Sequence, residues 1–219
     1  MERSHKTASP SHQTILDILL RGKIELQGQF ALGSNYTFLV NVNHPAGHIQ
    51  AVYKPQRGEI PLWDFPPESL AGREVAAYLL SEALGWRLVP PTILREDGPF
   101  GPGSLQQFIP YDPELNYFSF QPALIQRLKP TALFDMVINN ADRKGSHILL
   151  DDDRHIWLID HGLCFHALPK LRTVIWDFAG QEIPANLIRD LESVLPKLKA
   201  GADLFKNLSG TWGKRKSVH

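Results

Sequence analysis

The residues best suited to chemistry lie in one stretch, "NNADRKGSHILLDDDRHIWLIDHG", from Asn139 to Gly162. It sets Asp142 just before a β-like run, "HILL" (His147 to Leu150). Asp160 comes just after a second run, "HIWLI" (His155 to Ile159), and Asp151-Asp152-Asp153-Arg154 lies between the runs. Two short extended runs joined by a polar turn predict an antiparallel hairpin, whose two ends meet in space. Asp142 and Asp160 are therefore expected to face one cleft from adjacent loops. Two carboxylates brought together repel unless something positive stands between them. A divalent cation on Asp160 and a hydroxyl proton at Asp142 would relieve that repulsion. Mg²⁺ is held in this way, by one or two carboxylates together with phosphate oxygens and water. Two aspartates serving only as turn or cap residues are the plain alternative. That reading explains each Asp singly, but not Gly162 or the Lys-helix-Glu order upstream.

Three features upstream bear on the same chemistry, each with an ordinary structural explanation beside it. Gly33-Ser34-Asn35 reads as a tight turn whose backbone N–H groups can point at a phosphate; most such turns are only turns. In "AVYKP", Val52 and Lys54 share one face of a strand, because side chains alternate with a period of two. That would set adenine near Val52 and phosphate near Lys54; an edge lysine snorkelling to solvent is the alternative. A lysine buried in a cleft needs an anionic partner. Glu74, in the first turns of the next helix, is the candidate. Asp64 and Glu68 compete for that role, and a helix-start Glu is also favoured simply by the dipole.

The elements that must position these residues follow from periodicity. "TILDILLRG" (Thr14 to Gly22) is an amphipathic helix with Gly22 at its C-cap. The period then changes to two in Lys23 to Phe30, Tyr36 to Val42 and His48 to Lys54, which predicts a three-stranded antiparallel meander. Tyr36, Phe38, Val40 and Val42 share one face of the second strand. A Pro-rich loop, Pro55 to Pro67, leads to a helix over Ser69 to Leu84, with Ser69 as N-cap and Gly85 as C′. Two further strands are predicted at Pro91 to Asp97 and Gly103 to Ile109. The second half reads as mostly helical: Gln121 to Asn140 with a break at Pro130, then the hairpin, a loop over Leu163 to Pro184, and a final helical region interrupted near Pro196 and Gly201.

Bulk properties narrow the partners. The chain has 219 residues, is 43% hydrophobic and balances 23 basic against 23 acidic residues. That length supports one sizeable core or two small lobes, and zero net charge argues against nucleic acid as a partner. The basic run "GKRK" at Gly213 to Lys216 reads as a solvated tail. No run approaches the ~20 apolar residues of a membrane span, and the polar start lacks the apolar core of a signal peptide; a cytoplasmic protein is expected. One cysteine, Cys164, excludes an intrachain disulfide. It is flanked by His161 and His166 in "DHGLCFH", where local packing is expected rather than a Cys/His metal cluster or nucleophile. Trp157, Phe108 and Tyr78 are expected in the core.

"DRKGSHILL" followed by "WLIDHG" resembles the catalytic loop and metal-binding motif of the phosphatidylinositol 3-/4-kinase-like group. The form usual there is Asp-Arg-His-x-x-Asn, a hairpin and Asp-Phe-Gly, an order shared with atypical kinases such as the HipA-like toxins. "AVYKP" resembles the group's nucleotide-binding lysine strand and "GSLQQFIP" its hinge. Nearest in kind is a family of small bacterial proteins related to these kinases. The resemblance runs from about Gly28 to Gly162. It implies an α+β, bilobal protein-kinase-like fold with a β-rich N-terminal lobe and a mainly helical C-terminal lobe. The expected division is residues 1–12 disordered, 13–110 the N-lobe (sheet plus one helix), 111–212 the C-lobe and 213–219 the basic tail. By the same resemblance, ATP with Mg²⁺ or Mn²⁺ is the cofactor pair. Asp142 orients or deprotonates an acceptor hydroxyl, and Asp160 holds the metal. Lys54 pairs with the α/β-phosphates, and Gly33, Ser34 and Asn35 cover them. Gln107, Phe108 and Ile109 contact adenine through backbone. Phosphoryl transfer asks mainly for such positioning and charge neutralisation.

The sequence departs from that pattern at three points. His147 stands where the second metal-binding Asn belongs, and imidazole suits Mn²⁺ or Zn²⁺ better than Mg²⁺. Lys144 stands where the pattern has His, placed to stabilise transition-state charge. Asp-His-Gly replaces Asp-Phe-Gly, removing the usual packing Phe. The reading is an ATP- and metal-dependent phosphotransferase acting on a hydroxyl. No pleckstrin-like, C2-like or basic lipid-binding stretch is visible, which leaves the acceptor open among a protein hydroxyl, a small metabolite and a phosphoinositide. Two alternatives stand beside it, a nucleotide-binding pseudokinase and a kinase-fold protein that transfers AMP.

Overall fold

In the computed structural model, which describes residues 10–30 and 36–200, helix α1 (His12–Arg21) opens the fold. Ser11 starts it by accepting from the Thr14 amide at 3.1 Å. It stops at Gly22, whose N–H donates to the Ile18 carbonyl. A Cβ at Gly22 would overlap Val42 and that carbonyl, so only glycine lets the chain turn this tightly onto the sheet. Strands β1 (Lys23–Gln29), β2 (Phe38–His44), β3 (Gly47–Pro55), β4 (Thr92–Gly98) and β5 (Gly101–Gln107) form one antiparallel sheet in the order β1-β2-β3-β5-β4. The period-two pattern is what buries it on one face. Val40, Val42, Ala51, Tyr53, Ile93 and Leu105 point the same way and close over Ile18 and Leu19 of α1. Tyr36, expected on that face, precedes β2 and is 58% exposed. Buried Arg95 ties helix to sheet by donating to the Leu19 and Gly22 carbonyls at 2.6 and 3.1 Å.

The regular elements among the remaining described residues are mainly helices. Helix α2 (Leu70–Ala83) ends before Gly85, which takes φ +71 as a C′ glycine should. Ser69 precedes α2, but its hydroxyl donates to the Pro66 carbonyl instead of capping a helix amide. Helices α3 (Pro122–Ile125) and α4 (Lys129–Val137) are linked by a 3₁₀ turn. Pro130, expected as a break, falls in the first turn of α4, where its missing N–H costs no helical bond. Strands β6 (Ile148–Leu150) and β7 (Ile156–Leu158) form the hairpin. Helix α5 (Ala185–Ala200) runs through Pro196, correcting the expected interruption there. A proline inside a helix costs about 3 kcal/mol; here Leu187 and Val194, both buried and both before Pro196, hold the helix in place, together with the Trp86 indole bond to Asp190 at 2.8 Å.

The architecture is thus α+β, and the chain divides into two compact units, residues 1–60 with 91–108 and residues 61–90 with 109–219. The sheet and α1 make up the described part of the first. Helix α2 clusters with the helical second unit, where its Arg73 and Glu74 are bonded to residues 164 and 161. Of the stretch expected to be disordered, residue 12 already lies in α1; residues 1–9, Gly201 and the basic tail lie outside the described residues. Among the described residues no helix is long and apolar enough to cross a membrane.

Candidate active site

The hairpin is short, with three cross-strand pairs: Ile148↔Leu158, Leu149↔Trp157 and Leu150↔Ile156. Its apolar residues anchor it in the core, and Asp151 closes its turn. One carboxylate oxygen of Asp151 accepts from the His155 amide at 2.7 Å, the other from the Trp157 indole N–H at 2.8 Å. At the open end the Ile159 amide donates to the His147 carbonyl at 3.1 Å, so the residues entering and leaving the hairpin are held side by side. The expected convergence of the two ends is therefore present.

Two loops meet there. Asn140 accepts from the Asp142 amide at 3.0 Å and donates to Asp135 of α4 at 2.9 Å, fixing the turn that carries Asp142. The following loop is laced to it. Ala141 N–H donates to the Leu163 carbonyl, Arg143 N–H to the Arg172 carbonyl, and Arg172 N–H to the Asn140 carbonyl. Asp160 sits at φ +62, in the left-handed region that Asp tolerates better than most residues. The next amide, His161 N–H, donates to Glu74 of α2 at 2.9 Å.

His147 and Asp160 are brought into direct contact, Nε2 to Oδ2 3.3 Å. Two donors each ~2.1 Å from one ion, as Mg²⁺ requires, span at most about 4.2 Å, so the pair fits a single small cation. Burial pushes the His147 ring below its ordinary value, against the pull of the Asp160 charge, which favours the neutral imidazole that can ligate. The Asp142 charge acts on the ring in the same sense as Asp160. The His147 Nδ1 is buried without a hydrogen-bond partner among the described residues. No group of three or more His, Cys, Asp and Glu side chains able to hold a metal occurs among the described residues. Lys144 lies on Asp142, Nζ to Oδ2 2.8 Å, and is well exposed.

The remaining candidates are placed as follows. Val52 and Lys54 lie on β3, opposite Gln106 and Ser104 of β5. Gly103 is needed beside them, since a Cβ there would strike the Lys54 carbonyl. The Gln107 amide donates to the Pro91 carbonyl at 2.9 Å and the Phe108 amide to Gln50 at 3.0 Å. Those two N–H groups serve the sheet, so any adenine contact from these residues falls to their carbonyls or to buried Ile109. Glu74 is buried in the second unit against the His161 amide. Gly33, Ser34 and Asn35 lie outside the described residues. Cys164 is buried, and burial raises its thiol well above the ordinary range.

Sequence reasoning gave no role to Arg143 or Asp135, and at His161 it expected only local packing. All three are buried, and the Arg143 guanidinium bonds to Asp135, to the His147 and Ile159 carbonyls and to the His161 ring. The one available signal was Asp135, a charged residue at a core position of an otherwise apolar helical run, "ALFDMV".

The chain matches the family model of the phosphatidylinositol 3- and 4-kinases over residues 67–209, a range that takes in Asp142, Asp160 and Glu74 and begins after Lys54. It is 38% identical over 228 aligned positions to Protein Rv2133c of Mycobacterium tuberculosis (strain ATCC 25618 / H37Rv), covering 88% of this chain and 81% of that protein. On the extent of both matches, this chain belongs to the phosphatidylinositol 3- and 4-kinase family.

Proposed function

We propose that the protein is an ATP- and divalent-metal-dependent phosphotransferase acting on a hydroxyl. The observation that carries the reading is the 3.3 Å approach of His147 Nε2 to Asp160 Oδ2 at the open end of the hairpin, with Asp142 on the adjoining loop. His147 and Asp160 would hold the cation; when bound, it neutralises charge on the β- and γ-phosphates. Asp142 orients the acceptor hydroxyl and takes its proton. Lys144 holds the Asp142 carboxylate and supplies positive charge beside the transferred group. Lys54 pairs with the α/β-phosphates, with Glu74 as its partner. Val52 and the Gln107 to Ile109 backbone take adenine, and Gly33 to Asn35 cover the phosphates. The imidazole ligand favours Mn²⁺ over Mg²⁺. The acceptor is a protein hydroxyl or a small metabolite as readily as a phosphoinositide, and the expected location is the cytoplasm.

The test is a melting-temperature screen with ATP, ADP and GTP, each with Mg²⁺ or Mn²⁺, on wild type and Asp160→Asn. Asn is chosen because it tolerates the left-handed backbone of Asp160. Ligand at a hundredfold its Kd stabilises by about 2.7 kcal/mol. A metal-dependent ATP shift in wild type that disappears in Asp160→Asn is expected; no shift in wild type, or the same shift in both, refutes the reading. ATP labelled in both the adenine and the γ-phosphate then separates phosphate from AMP transfer. One observation favours a second reading, nucleotide binding without turnover: Lys144 already occupies the Asp142 carboxylate that would take the proton. It requires ATP binding with no product from either label.

A further inference from the structure

The Arg143 side chain is wholly enclosed, as is its partner Asp135, whose carboxylate receives its Nε and Nη2 at 2.9 to 3.1 Å. A buried pair held only for stability gains little, since apolar residues of the same volume often serve as well. Here the guanidinium does more than balance Asp135. Nη1 donates to the Ile159 carbonyl at 3.0 Å and to the His147 carbonyl at 3.3 Å, and Nη2 meets His161 Nε2 at 2.9 Å. Two of those acceptors flank Asp160 and the third belongs to His147 itself. A guanidinium only donates, so His161 Nε2 accepts, and the ring proton sits on Nδ1, 4.0 Å from Glu74 Oε2. Asp160 lies between two tethered residues at φ +62, a conformation that persists when neighbours over-determine it.

We propose that Arg143 is the positioning residue of the metal pair: by holding Ile159 and His161 on either side of Asp160, and the His147 carbonyl, it sets Asp160 and His147 in register before an ion arrives. The proposal rests on the metal reading given above. Lys at this position would keep the charge against Asp135 but lacks the planar fork that spans several acceptors at once.

The experiment measures Mn²⁺ binding in the presence of ADP by electron paramagnetic resonance, and metal-free ADP binding by displacement of a fluorescent ADP analogue. Both are run on wild type and Arg143→Lys, with circular dichroism to confirm folding. Arg143→Lys is expected to bind Mn²⁺ about 10-fold or more weakly, the usual effect of losing an outer partner of a metal ligand, with metal-free ADP affinity unchanged. Equal Mn²⁺ affinity overturns the proposal, and so does a parallel loss of both affinities, which marks a merely structural role. Wild type that binds ADP but shows no Mn²⁺ binding sinks the metal reading and this proposal with it. If Arg143→Lys does not fold, His161→Gln and His161→Leu decide. Gln keeps an acceptor for Nη2 and should stay within about threefold of wild type, while Leu should lose about tenfold; equal affinities in the two overturn the proposal.

Discussion

Replacing Asp151 should separate the stability of the β6–β7 hairpin from the geometry of its open end. One carboxylate closes the turn through the His155 amide at 2.7 Å and the Trp157 indole at 2.8 Å. Hydrogen bonds to a charged group contribute about 1.5–3 kcal/mol each, and at this half-buried position water recovers part of the loss. Asp151→Ala should therefore cost about 2–4 kcal/mol, and Asp151→Asn, which keeps an acceptor for His155, about half that. Each kcal/mol lowers Tm by about 2–4 °C in a chain of this size. All five tryptophans fall within residues 61–90 and 109–219, so tryptophan fluorescence during denaturant unfolding reports the second unit alone. The open end is held separately, by the three-pair ladder and by Arg143. Mn²⁺–ADP affinity, measured where the variant is still folded, should then change less than about threefold, as distant sites behave independently. An Ala variant within about 0.5 kcal/mol of wild type would show that the carboxylate does not close the turn. A collapse of affinity at full folding would show that the turn and the metal pair are one unit.

Acid stability offers a second check. Hydrogen bonds from Arg95 hold the Asp97 carboxyl below its ordinary value near 3.8. A depressed carboxylate stabilises the fold fully above the ordinary value, and that contribution is lost as pH falls through the lower, folded-state value. Asp97 is largely exposed, so the difference between wild type and Asp97→Asn should stay under about 1 kcal/mol. It should be constant above pH 3.8 and shrink below it in denaturant titrations; a difference that grows on acidification contradicts the pairing. Cys164, the single cysteine, is buried with its thiol raised well above the ordinary range. It should stay unreactive towards Ellman's reagent until the protein unfolds, because the thiolate is the reacting form; rapid labelling in native buffer would rule out that burial.

Much of the candidate site was legible because it depends on local pattern. Period-two alternation placed β1 to β3 to within one or two residues, and two short runs around a polar turn placed the hairpin between Asp142 and Asp160. Helix ends were legible where glycine is required, at Gly22 and Gly85, and less so at prolines. Pro130 begins a helix and Pro196 lies inside one, because a proline's cost depends on which backbone bond it removes and on what the helix buries elsewhere.

What the sequence by itself determined was the inventory and its order: a lysine strand, a helix with Glu74, and two aspartates at the ends of one hairpin. Tertiary structure alone decided which groups meet. Asp135, Arg143 and His161 come from α4, the loop before the hairpin and the turn after it, yet they form one enclosed network. Glu74 reaches the His161 amide across 87 residues of sequence. Such partners have no spacing rule. A buried guanidinium takes whatever acceptors the packed core leaves within hydrogen-bond distance, and that set exists only once the helices and the hairpin have closed around it.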